Sequence, residues 1–375
     1  MPDWTKSMQQ SFEYYIVDPD TWRDTTPLTT VKSGSTISRD SEAETRGSST
    51  INVVDMLGEC YIRIYLITIQ NGVTEKHPLA TVLVQTPSSS FDGKVKDVTM
   101  DAYTPLLELK ENPPPLGYSI FKGEDILDNA YLLIRENTRA PVVKPQPVTV
   151  EDGKKLERYS KLSYDFVANT DDTWLSYISD LVLNSNHDLD VDEMGRILFS
   201  PIQDTTSLQP VKIFDDSNSS ILQAPVTMDH DLFDIPNVVE IIFTKGFYNI
   251  ETKDYEYRII VTNDDPSSPT STVNRGRKKT YREIDPNIIG SDDVIVTKEI
   301  VQNYAERLLR DMSTVEYKIT FTHGYYPIRL GDCVGLNYKR AGLTDIKAKV
   351  ISQSIKCEPG CPVTETAVFT TKLWR

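Results

Sequence analysis

The chain has 375 residues, enough for two or three domains, with 55 acidic against 40 basic side chains and a net charge of −15. That charge argues against a phosphate-binding surface spread over the molecule. A composition of 39% hydrophobic and 25% charged residues is that of a globular chain able to bury cores. The start, MPDWTKSMQQ, lacks a basic-then-apolar signal pattern, and no apolar run approaches a membrane span. Folding in a reducing cytoplasm is therefore expected, with Cys60, Cys333, Cys357 and Cys361 as free thiols.

The first hundred residues read as strands. SFEYYIVD (Ser11 to Asp18) is rich in aromatic and β-branched residues; small polar residues around Gly34 lead to Ile37, and STINVVD follows. In CYIRIYLITIQNG, Tyr61, Arg63, Tyr65, Ile67 and Ile69 share one face, and Ile62, Ile64, Leu66 and Thr68 the other. Both faces are largely apolar, which predicts a central strand. Asn71-Gly72 is a strong hairpin signal, with LATVLVQT as the return strand. A strand through Val98 and Met100 leads to a short helix near Pro105 to Lys110. Pro113 to Pro115 end that helix and mark a first boundary.

Two amphipathic helices follow. Ile126, Leu127, Ala130, Leu133 and Ile134 recur at helical spacing in the first. The proline-rich APVVKPQPVTV is extended. The second helix carries Trp174, Leu175, Ile178, Leu181 and Val182, with Asp171 as its expected N-cap. DLDVDEMGRILFSP predicts a hairpin turning at Glu193-Met194-Gly195. Beyond Pro236, NVVEIIFTKG and YEYRIIVTNDD predict paired strands, and PSSPTSTVNRGRKKTYREIDPN a polar loop. Thr297 is placed to cap a helix carrying Ile300, Val301, Tyr304, Leu308 and Leu309. The strand TVEYKITFTHG and a hairpin turning at Glu358-Pro359-Gly360 complete the pattern. The chain thus divides into a β-rich segment 1–120, an α/β segment 121–235, and a second β-rich segment 236–375 with one helix.

HGYYPIRLGDCVGL places His323, Asp332 and Cys333 within eleven residues. A nucleophile set needs those groups at hydrogen-bond distance. The bland reading is a turn at Leu330-Gly331-Asp332, where Gly331 and Asp332 supply backbone geometry, and it is preferred. Cys357 and Cys361 lack the second ligand pair of a zinc site. DLDVDEMG fails the calcium-loop spacing counted from either Asp188 or Asp190. Arg275, Arg277, Lys278 and Lys279 form the one dense basic run. Without interleaved aromatics it is a candidate partner-contact loop rather than a nucleic-acid site. No phosphate loop, dinucleotide glycine pattern, HExxH or GxSxG occurs. No catalytic, metal or cofactor-binding residue is assigned, and no cofactor is expected.

Taken in order, SGSTISRDSEAETRGSSTI, VDEMGRILFSP after an amphipathic helix, NDDPSSPTST after paired strands, and YPIRLGDCVGL before a terminal hairpin resemble bacteriophage tail hub proteins. These are the baseplate hub of contractile tails and the tail-associated tip protein of long non-contractile tails. The resemblance spans most of the chain; each motif alone is loose, and their order carries it. It implies an α+β chain with two barrel-like β-domains and small α/β lobes between them, assembling as a trimeric ring. It further implies a structural virion protein of the tail tip or baseplate, assembled in the host bacterial cytoplasm, that adapts sixfold tail symmetry to a threefold tip. Implied partners are two further copies, a distal tail or tail tube protein, the tape measure protein, and tip, spike or receptor-binding proteins. Phage DNA would pass transiently, without sequence-specific binding, and no membrane span is expected. Many relatives add a cell-wall hydrolase after the final hairpin; the ending at Trp374-Arg375 sets the expectation of none, and of no enzyme activity. The alternative reading is a carbohydrate- or receptor-binding module of the same virion.

Overall fold

The structure, a computed structural model, describes all residues except 1, 55–57, 92, 95, 147–159, 205–206, 218–220, 231, 287–295 and 375. Asp55, the end of the proline-rich stretch (147–150) and Arg375 lie outside the described residues. Strands hold 47% of the chain and helices 15%, so it is mostly β with a minor helical part.

Two compact units form. The first comprises Met1–Val226 and Thr320–Ala367, the second Thr227–Ile319 and Val368–Arg375. These units do not follow the segments 1–120, 121–235 and 236–375. The last strands of the chain pair with the first ones, a long-range choice that local alternation does not encode.

In the first unit the chain lays down β1 (Gln9–Val17), β2 (Asp24–Pro27), β3 (Ser35–Asp40), β4 (Gly47–Val53), β5 (Cys60–Gln70), β6 (Val73–Phe91) and β7 (Lys96–Tyr103). A helical lobe follows: α1 (Leu107–Lys110), β8 (Ser119–Ile120), α2 (Ile126–Asn137), β9 (Phe166–Val167), α3 (Trp174–Leu183) and the hairpin β10 (His187–Val191) and β11 (Ile197–Pro201). Next come β12 (Lys212–Asp215) and β13 (Leu222–His230). The second unit contributes β14 (Val238–Asn249), β15 (Asp254–Thr262), α4 (Thr272–Arg275), β16 (Thr280–Ile284) and α5 (Lys298–Met312). β17 (Thr314–Gly324), β18 (Cys333–Asn337), β19 (Ile346–Cys357) and β20 (Pro362–Lys372) end the chain, and the unit boundaries fall inside β13, β17 and β20.

The main sheet runs β13-β17-β20-β19-β3-β4-β7-β6-β5-β1-β2, with β18 pairing β19 and β12. It is an open path, not a closed barrel: its ends are β13 and β2, which do not pair among the described residues. This corrects the barrel expectation. Alternating strands suit a barrel or an open twisted sheet equally, and closure depends on which edges meet.

β5 is buried on both faces because two layers cover it. Ile62, Ile64 and Leu66 enter the main core with Tyr14, Ile37 and Ile51. On the other face Tyr61 packs with Val17, Leu83 and Leu107 of α1. Asn71 and Gly72 both take positive φ (52° and 78°), as a two-residue turn between β5 and β6 requires. In the lobe, the apolar stripes of α2 and α3 meet in one cluster. The N-cap of α3 is Thr173, which forms a capping box with Ser176, rather than Asp171.

In the second unit β14 pairs antiparallel with β15 and parallel with β16. β16 lies inside the segment expected to be a polar loop; its exposed residues and distant partner hide it from a local reading. Val301, Ala305 and Leu309 of α5 pack on Val239, Ile241, Phe243, Ile259 and Val261. Full burial of Val301 and Leu309 contributes about 1.5–3 kcal/mol each. No helix among the described residues is long and apolar enough to cross a membrane.

Candidate functional site

The tip of the β10–β11 hairpin is fastened to the lobe-facing side of the main sheet. Gly195 closes the turn at φ +74°, its amide donating to the Asp192 carbonyl at 2.9 Å. Asp192 braces the turn by accepting from the Arg196 amide (2.8 Å) and Arg196 Nε (2.6 Å). The backbone oxygens of the tip then meet the sheet. Trp22 Nε1 donates to the Met194 carbonyl at 2.7 Å, Arg63 Nη2 to the same carbonyl at 3.2 Å, and Thr81 Oγ1 to the Glu193 carbonyl at 3.1 Å. Arg63, the charge inside the apolar stretch YIRIYLITI, is only 2% exposed. Its guanidinium is nevertheless well partnered, donating to Asp24 (2.7 Å) and Thr81 (2.9 Å). A buried arginine so paired avoids the desolvation cost of an isolated charge. A Cβ at Gly195 would stand 2.7 Å from Thr81 Cβ and 3.0 Å from the Trp22 ring, so the close approach itself requires glycine.

The Glu193 side chain joins this tip to the turn singled out in HGYYPIRLGDCVGL. Arg329 grips it through two donors, Nε at 2.9 Å and Nη2 at 2.6 Å, and Arg39 Nη1 lies 3.6 Å away. Asp332 holds the arginine's backbone, its Oδ2 accepting from the Arg329 amide at 2.8 Å. Gly331, at φ +84°, donates to the Val350 carbonyl (2.8 Å), and the Val350 amide donates to the Asp332 carbonyl (2.9 Å). Burial raises the Asp332 carboxyl above its ordinary value, against the lowering by the Arg329 amide. The structure thus brings the turns of Gly195 and Gly331 together through Arg329 and Glu193. The stretch YYPIRL is an irregular connection, and CVGLN forms β18.

Behind this clamp a polar ladder crosses four neighbouring strands, β3, β19, β20 and β17. Arg39 Nη1 donates to Gln353 Oε1 (3.2 Å), and Gln353 Nε2 donates to Glu365 Oε1 (3.0 Å) and to the Ile328 carbonyl (2.9 Å). His323 Nε2 meets Glu365 Oε1 at 3.0 Å, and its Nδ1 meets the Gly324 carbonyl at 2.6 Å. A carbonyl only accepts, so Nδ1 carries a proton. One further proton lies between Nε2 and the carboxylate, giving either an imidazolium–carboxylate pair or a neutral pair. Both side chains are fully buried. Cys333 is 1% exposed, and its thiol faces the Val334 carbonyl at 3.9 Å. His323, Asp332 and Cys333 therefore each serve a different partner. Between tip and sheet remains a cavity of about 40 Å³ lined by Arg39, Arg46, Thr81, Asp190, Glu193 and Arg329, a volume suited to water rather than to a substrate.

Sequence reasoning missed Arg39, Gln353 and Glu365. One signal was available: in VTETA, alternation puts Glu365 in register with the buried Val363 and Ala367. The basic run in the second unit is divided. Arg275 donates to the carbonyls of Ile235 (2.6 Å) and Leu232, and Lys279 Nζ to Phe233 O (2.7 Å) and Asp234 (2.8 Å). Arg277 and Lys278 are exposed, with Arg277 over the Phe233 ring. All four cysteines are unpaired, and no metal-binding group of three or more His, Cys, Asp or Glu exists among the described residues.

No family model and no curated protein matches the sequence. The fold, however, has solved relatives. A tail protein from Neisseria meningitidis MC58 superimposes with a TM-score of 0.59 at 11% identity, covering 96% of this chain and 97% of that one. The 43 kDa tail protein of prophage MuSo2 from Shewanella oneidensis gives 0.56 at 10% identity, covering 96% and 98%. A chain of the Francisella PdpA-VgrG complex gives 0.52 at 10% identity, covering 98% of this chain and 58% of that one. At these identities the likeness is one of fold, and at that level the resemblance to phage tail proteins is borne out.

Proposed function

We propose that the protein is a structural component of a phage-type tail: a homotrimeric hub at the distal end of the tail tube that matches sixfold tail symmetry to a threefold tip. The observation that carries this reading is end-to-end likeness to two solved tail proteins, which spans nearly the whole of all three chains. The site supports an architectural role. Its most chemically suggestive pair, His323 and Glu365, is sealed from solvent, and the cavity between the hairpin tip and the sheet, about 40 Å³, has room for water alone. The clamp from Glu193 to Arg329 ties a lobe hairpin to a large sheet, which suits a part that holds its shape under load. On this reading the protein is not an enzyme and resides in the virion at the tail tip or baseplate. It contacts a distal tail or tail tube protein, the tape measure protein, and tip, spike or receptor-binding proteins. Phage DNA passes without sequence-specific contacts, and Arg277 and Lys278 are the members of the basic run left to meet a partner.

Antibody labelling of purified tails tests the location. Label confined to the distal tail axis is expected. Label on peripheral fibres, or none on the tail, would overturn the reading, and the first of these would favour a receptor-binding module.

A further inference from the structure

One face of the sheet in the second unit is occupied by α5; the other carries an ordered pattern of its own. By register, Ile260 and Arg282 flank Glu240, while Arg258 and Ile284 flank Ile242. Their odd-numbered neighbours Val239, Ile241 and Ile259 point into the α5 core, so these six share the opposite face. Glu240 lies at the centre and is 3% exposed, ion-paired to Arg258 and, at 2.6 Å, to Arg282. The arginine hydrogen bonds hold its carboxyl below the ordinary value, that of Arg282 foremost. The two guanidiniums remain about three-fifths exposed, at 59% and 60%. Ile260 and Ile284 are 47% and 59% exposed. Two cations sharing one carboxylate leave the face with one positive charge in excess, framed by isoleucines and with donors still open.

We infer that this face is the surface through which one copy of the chain binds the acidic surface of the next. The inference rests on the trimeric reading above and names its interface. A closed cyclic ring needs two unlike, complementary patches on each copy. With 55 acidic against 40 basic side chains, each copy carries an excess of carboxylates for such a face to meet, and this cationic, apolar face is their complement. The buried Glu240 fixes both arginines in place, so little side-chain freedom is lost on docking. Exposed isoleucines beside arginines combine apolar area with a residue type enriched at interfaces.

The test is sedimentation of the full-length wild type, of an Ile260→Glu/Ile284→Glu double variant, and of Val273→Glu, an equally exposed apolar position of the same unit (60%). Circular dichroism and thermal unfolding establish that each is folded. The wild type and Val273→Glu are expected to be trimers, loosened by added salt. The double variant is expected to be a folded single chain, its dissociation constant raised roughly 100-fold or more, the scale of losing two apolar interface side chains. A double variant that stays trimeric like the wild type would overturn the inference and leave the trimeric reading intact. A wild type that is monomeric would overturn both.

Discussion

His323 Nε2 lies 3.0 Å from Glu365 Oε1, and neither side chain has exposed surface. The pair shares a proton, and Gln353 donates to the same oxygen. Removing one member of a buried pair strands the other. Glu365→Ala should therefore cost about 3–5 kcal/mol. Glu365→Gln should cost less, because its amide oxygen can still accept from Gln353 and the side chain fills the same space. Urea unfolding of the two variants checks this, and equal losses would mean that the pairing is not what holds the ladder.

Two glycines at positive φ make a paired test. Gly331 (φ +84°) has nothing within 4 Å of an added Cβ, whereas at Gly195 (φ +74°) that atom would meet Thr81 and Trp22. Gly331→Ala should lose only the cost of left-handed backbone, about 1–2 kcal/mol. Gly195→Ala should lose that plus about 1–3 kcal/mol of overpacking. Thermal unfolding should rank Gly195→Ala as the weaker protein; the reverse order would show that the hairpin tip does not sit against the sheet as described.

The Arg329–Glu193 clamp is bidentate, with the arginine side chain 55% and the glutamate 14% exposed. Arg329→Lys keeps the charge and loses the fork. A loss of about 0.5–1 kcal/mol is expected for so exposed a pair, shrinking as salt is raised. An equal effect at low and high salt would point to packing rather than to the ion pair.

Burial raises the thiol pKa of Cys357 to about 11 and raises that of Cys361 further. A raised pKa means less thiolate at any given pH, hence a slower reaction. Cys60 is half-buried, and Cys333 is buried. In native protein at pH 8, Cys60 should react first with a disulfide reagent, and in denaturant all four should react. Fast native labelling of Cys357 or Cys361 would contradict their burial.

Where alternation and turn chemistry act locally, the sequence was legible. The two apolar faces of Cys60–Gln70, the Asn71-Gly72 turn and the stripe on Trp174–Leu183 all follow from residue spacing. What could not be read depends on partners far along the chain. The Thr280–Ile284 strand pairs in parallel with Val238–Ile242, and its exposed residues resemble a loop. Whether the long sheet closes depends on edges with no local mark. The site shows the same division. The glycine turns were visible, but Arg39 meets Gln353 across 314 positions, and Arg329 meets Glu193 across 136.

The central claim is tested most directly by electron cryomicroscopy of intact tails, reconstructed at the distal tip without imposed symmetry. Three copies of this chain are expected in a ring coaxial with the tail tube, presenting sixfold-like contacts to the tube and threefold contacts to the tip. Copies found only as peripheral appendages, or an axial assembly without threefold order, would contradict it.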